Sequence, residues 1–72
     1  MSPQEEFLYN FAILLEGIVL ANPTYTAAQL TECMATIVHL PLGDDLTFLV
    51  KSCLEAFGYS EVLGRSAQGG AL

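Results

Sequence analysis

Phe7-Leu8-Tyr9-Asn10-Phe11-Ala12-Ile13-Leu14-Leu15-Glu16-Gly17-Ile18-Val19-Leu20-Ala21 is the longest apolar stretch of the chain. Phe7, Leu8, Phe11, Leu14, Leu15, Ile18 and Val19 recur at helical spacing, which predicts a wide apolar stripe on one helix face. Glu5, Tyr9, Ala12 and Glu16 are expected on the opposite side, with Glu6 and Asn10 beside them. Just upstream, Ser2 fits an N-cap, Pro3 the first helical position and Glu5 the third, which is a capping box with proline at its start. Downstream, Asn22-Pro23 stops the helix, because the residue before a proline is pushed out of the α region. The first helix is therefore expected over about 3–21, ~28 Å long at 1.5 Å per residue.

Two shorter amphipathic segments follow and need a surface to pack on. Thr26 and Gln29 form a second capping box, with Tyr25 and Leu30 placed as a hydrophobic staple. The helix they open is expected over about 27–39, with Leu30, Cys33, Met34, Ile37 and Val38 on its apolar face, and Pro41 ends it. Leu40 and Leu42 in the next loop are expected to lie against the core. Asp44 is the expected N-cap of a third helix over about 45–57, with Asp45 favourable in its first turn. Leu46, Leu49, Val50, Cys53, Leu54 and Phe57 follow the cleanest helical period in the chain. Gly58 suits a left-handed residue after that helix. A short helical turn is expected over 60–63. The expected fold is all-α, a small up-down bundle of three main helices with short connections. One domain spans 1–64, and Arg65–Leu72, with adjacent glycines and no periodicity, is expected to be a flexible tail.

The chain has 72 residues and 53% of them are hydrophobic. A domain this small buries only about 60% of its unfolded surface, so the apolar surplus points to a patch covered by a partner or a second copy. The net charge is -6, and Lys51 and Arg65 are the only fixed cations. Nucleic-acid binding draws its affinity from Lys and Arg on phosphates, and anionic membrane surfaces recruit basic clusters. Neither nucleic acid nor membrane is an expected partner. Glu5 and Glu6 occupy the place of a basic signal-peptide n-region, and Glu16-Gly17 interrupts the apolar run before it reaches the ~20 residues of a membrane span. The expected compartment is the cytoplasm.

No constellation for catalysis stands out, and no enzyme activity is expected. His39 sits at a helix C-terminus, where a charged imidazole suits the dipole. Cys33 lies about two turns away on the apolar face, where thiols are inert. Cys33 and Cys53 read as small buried hydrophobes in a reducing compartment. Three Cys and His residues fall short of a structural zinc site, and Asp44-Asp45 runs straight into Leu46 rather than into a calcium loop. No phosphate-cradling glycine loop is present, and no cofactor or metal is expected. Glu5-Glu6 and Asp44-Asp45 are accounted for by first-turn electrostatics.

Size, acidity and helical content are similar to those of the acyl carrier proteins, whose attachment site is an Asp-Ser-Leu at the start of an acidic helix. The corresponding stretch here is Gly43-Asp44-Asp45-Leu46. The serine is absent and Thr47 is out of register, so carrier chemistry does not follow from the resemblance.

Phe48, Tyr9 and Tyr59 lie off the apolar stripes, and aromatics are enriched in interface cores. The expected function is a non-enzymatic interaction, adaptor or regulatory module that docks through helix faces, self-associates as a homodimer and engages basic proteins. Phe7, Tyr9, Phe11 and Phe48 are the candidate contacts, with Glu6, Glu16 and Glu55 as an acidic rim. The alternative is a small carrier holding an apolar ligand among Phe11, Leu15, Met34 and Phe57.

Overall fold

The computed structural model describes residues 1–65 of the chain. It is an all-α fold of four helices: α1 (Pro3–Ala21), α2 (Ala27–Val38), α3 (Asp44–Ala56) and the short α4 (Ser60–Leu63). The expected tail falls beyond the described residues except for Arg65.

Local chemistry sets the helix boundaries. At the start of α1, the Glu5 N–H donates to Ser2 Oγ and the Ser2 N–H to Glu5 Oε1, both at 3.2 Å. At the start of α2, the Gln29 N–H donates to Thr26 Oγ1 at 3.2 Å and the Thr26 N–H to Gln29 Oε1 at 2.9 Å. Each box satisfies orphan donors of a first turn. α1 ends where Asn22 folds back, its Nδ2 donating to the Ile18 carbonyl at 3.0 Å.

α3 starts one residue earlier than expected. Gly43, in an extended conformation, is the cap residue, and its carbonyl accepts from both the Thr47 N–H (3.0 Å) and Thr47 Oγ1 (2.9 Å). Asp44 is thus the first helical residue rather than the N-cap. Its carboxylate acts on the helix dipole with Asp45 instead of accepting a capping bond.

Two helix ends turn through the left-handed region. After α3, Gly58 takes φ 83°, and the Tyr59 N–H reaches back to the Leu54 carbonyl at 2.8 Å. After α2, His39 takes φ 57°, ψ 43°, and the Leu40 N–H donates to the Ala35 carbonyl at 3.1 Å. The glycine is at ease there, whereas a residue with a Cβ is strained.

The core draws Phe11, Leu15 and Val19 from α1, Ala27, Leu30 and Met34 from α2, Leu46, Val50 and Leu54 from α3, and Val62 from α4. Each large aliphatic side chain so buried contributes about 1.5–3 kcal/mol. Thr31, also buried, donates its hydroxyl to the Ala27 carbonyl at 2.8 Å, so no polar group is stranded there. The expected apolar faces need trimming. Phe57 and Ile37 are exposed at the edges of α3 and α2, Leu40 packs on the core, and Leu42 points to solvent.

The larger correction concerns α1. Its packed stripe is the narrow row Phe11, Leu15 and Val19, with Ile18 against it. Phe7, Leu8 and Leu14 were expected inside and are exposed. Ala12 and Glu16 were expected outside and are half-buried. α2 and α3 are too short to cover a helix of 19 residues, so every residue from 1 to 10 is exposed.

Candidate interaction surface

α1 therefore presents a large face that nothing among the described residues covers. Phe7 is 42% exposed, Leu14 43%, Ile13 48% and Leu20 66%. At 100° per residue, Phe7, Asn10, Leu14, Gly17 and Ala21 form one row along the helix, with Ile13 and Leu20 flanking it. All seven are exposed. The Phe7 ring leans on the core through Phe11, with centroids 5.9 Å apart and planes at 41°. That contact fixes the ring at the rim of the body and leaves its outer surface free. Gly17 sits mid-helix, and a Cβ added there would meet nothing within 4 Å.

The candidate contacts divide. Phe7 and Tyr9 lie on the exposed half of α1. Phe11 is 1% exposed and belongs to the core, because it heads the stripe that packs; it has no surface to offer a partner. Phe48 is the most open large aromatic, on the outer side of α3 together with Glu55, seven residues on. Glu6 is exposed beside the α1 row. Glu16 is half-buried and accepts a hydrogen bond from the Tyr59 hydroxyl at 3.3 Å. It ties α1 to the segment between α3 and α4 rather than standing free in a rim. Partial burial, the Glu16 charge and this bond all push the Tyr59 phenol above its ordinary range.

The residues suggested for an apolar pocket do not share one. Phe11, Leu15 and Met34 pack in the core at 0–1% exposure, while Phe57 lies at the surface. A cleft of about 460 Å³ opens elsewhere, between the N-terminal turn of α2, the start of α3 and the end of α4. Thr26, Thr31, Glu32, Thr47, Lys51 and Arg65 supply its polar lining. Both fixed cations of an acidic chain thus meet at one depression. Arg65 is held there because its Nη1 donates to the Tyr25 carbonyl at 3.0 Å. A smaller, mostly apolar cleft of about 250 Å³ lies among Leu40, Pro41, Asp45, Leu46 and Leu49.

Cys33 and Cys53 are both half-buried free thiols, and burial pushes the Cys53 thiol up. His39 is exposed at its helix end. Among the described residues no three His, Cys, Asp or Glu side chains cluster as metal ligands, and no helix is long and apolar enough to cross a membrane. Sequence reasoning missed Ile13, Leu14, Gly17 and Leu20 as surface. Their signal was present in the apolar character that α1 carries around most of its circumference. Compared with family models, with curated proteins and with solved structures, the chain matches none.

Proposed function

We propose that this chain is a non-enzymatic helical interaction module that works by self-association through the exposed face of α1. The observation that carries the reading is a 19-residue helix of which only the row Phe11, Leu15 and Val19 is buried, while Phe7, Ile13, Leu14 and Leu20 are left open. Contiguous apolar surface on a small acidic domain is a site for another protein, and an amphipathic helix docks through such a row. A regulatory role in the cytoplasm and an acidic surface steering basic partners are consistent extensions of this reading.

The test is molar mass by light scattering across a concentration series. The wild-type chain should move from 7.8 kDa toward twice that value. Leu14→Asp, at an exposed position, should keep its helical circular dichroism and remain monomeric. A wild-type chain that stays monomeric to millimolar concentration removes the reading.

A second reading is favoured by the cleft that gathers Lys51 and Arg65. Its volume is within the range of small-molecule sites, and its cations suit a small carboxylate or phosphate. Against the apolar-carrier alternative stands the tight packing of Phe11, Leu15 and Met34. Titration with inorganic phosphate, followed by amide chemical shifts, should move Thr47, Lys51 and Arg65. Unchanged shifts there at millimolar phosphate remove this second reading.

A further inference from the structure

We infer that the partner of the α1 face is a second copy of α1, laid antiparallel, with Phe7 of each copy seated over Gly17 of the other. The inference rests on the self-association reading above and names its geometry.

Phe7, Asn10, Leu14, Gly17 and Ala21 are spaced three, four, three and four residues apart, the a and d positions of a coiled-coil seam. Counting 100° per residue, the seam is centred about 120° around the helix from the Phe11–Leu15–Val19 row. A second helix can lie along it without meeting the body that α2 and α3 build.

Gly17 gives the register. A glycine in a helix interior costs about 0.5–1 kcal/mol relative to alanine. Among the described residues nothing requires it: a Cβ would meet open space there, and the backbone is helical. It leaves a hollow on the seam, and a hollow of that kind accepts a bulky side chain from a closely approaching helix. Phe7 and Gly17 each lie five residues from Ala12, the midpoint of Pro3–Ala21. A two-fold axis at the level of Ala12 therefore places Phe7 opposite Gly17 of the mate, and Asn10 opposite Leu14 of the mate. It also overlaps the two helices along their whole length. Every contact occurs twice, as an isologous interface demands. This fit of the seam to its own reverse is the argument for a second copy over an unrelated helix.

Charge selects the orientation. A parallel pair would set Glu5 and Glu6 of both copies side by side at two helix N-termini, with neither Lys51 nor Arg65 on the same helix. The antiparallel pair separates the two acidic ends by roughly 20 Å, more than twice the screening length of roughly 8 Å at physiological salt.

Area sets the strength. Half the lateral surface of a helix ~28 Å long and ~11 Å wide amounts to roughly 500 Å² per copy. The pair then buries about 1,000 Å², the lower limit for a specific interface. The dimer should be reversible and concentration-dependent.

The test uses the full chain with Cys33→Ala and Cys53→Ala, single new cysteines and a short bis-maleimide. Ile13→Cys flanks the axis and should cross-link to its mate. Glu6→Cys should not, since the two copies of position 6 stand roughly 20 Å apart in the antiparallel pair. Cross-linking at both positions means a parallel pair and overturns the geometry. Cross-linking at neither, in a protein that light scattering shows to be dimeric, places the interface elsewhere and also overturns it. A monomer by light scattering removes the parent reading as well, so the two failures are distinguishable. Gly17→Leu is the independent check. It should preserve the helical spectrum and weaken dimerisation at least tenfold, and an unchanged or tighter dimer overturns the seating of Phe7.

Discussion

The hydroxyl of Tyr59 donates to Glu16 Oε2 at 3.3 Å, across 43 residues of sequence. The bond fastens the segment after α3 to the flank of α1. It also makes the fold sensitive to alkali. The phenol is held above its ordinary range by partial burial first, then by the Glu16 charge and the bond itself. A raised pKa means that the folded chain holds this proton more tightly than the unfolded one. Its contribution is complete below about pH 10, where the unfolded phenol titrates, and is lost as pH rises through the folded value. The Cys53 thiol, raised by burial, adds in the same direction from about pH 8.5 upward. Urea midpoints should fall above that range, and Tyr59→Phe should flatten the steepest part. A Tyr59→Phe profile that parallels the wild type would deny the bond.

Leu15 and Leu20 separate the two sides of α1. Leu15→Ala empties a fully buried site and should cost about 2–5 kcal/mol. Leu20→Ala, at 66% exposure, should change the stability of dilute, monomeric protein by no more than about 0.5 kcal/mol. Denaturant unfolding at low micromolar concentration decides. Equal losses at both positions would contradict the narrow packed stripe.

The two capping boxes should weigh differently. Thr26 is 5% exposed and caps a helix packed in the core, so Thr26→Ala should lower global stability by about 1–2 kcal/mol. Ser2 caps an end of α1 whose residues 1–10 are all exposed. Ser2→Ala should fray that end and leave the global melting temperature almost unchanged. Amide exchange would show it, with Leu8–Asn10 losing protection while Leu15 keeps its own.

His39 and Gly58 hold the same left-handed conformation with opposite ease. His39→Gly should stabilise the fold by about 1 kcal/mol by relieving a Cβ clash, and Gly58→Ala should destabilise it by about 1–2 kcal/mol. Among the described residues the space around Gly58 is open, so the penalty there is conformational. A neutral Gly58→Ala would show that the turn can relax without that geometry.

The parts of this fold that were legible in the sequence are those decided by neighbours. Ser2 with Glu5, Thr26 with Gln29, and Gly58 after Phe57 declare helix ends within four residues. The polar residues between Leu46, Val50 and Leu54 left one periodic choice of face for α3. α1 offered no such contrast. With apolar side chains around most of its girth, the period located a helix but not the stripe that packs. Phe7, Leu8 and Leu14 were consequently placed inside, and Glu16 outside. The bonds from Tyr59 to Glu16 and from Arg65 to Tyr25 close loops of about forty residues, and no local pattern announces such pairings. The gathering of Lys51 and Arg65 at one cleft was hidden for the same reason.

The open space around Gly17 has a consequence for the history of such chains. If a mate's Phe7 fills that space, mutations at the two sites are linked. A smaller side chain at position 7 permits a larger one at position 17, and the reverse. The two positions stand ~15 Å apart along one straight helix, farther than side chains of a single chain can meet. Paired substitution there among related sequences would thus carry the imprint of a second molecule, written in the sequence of the first.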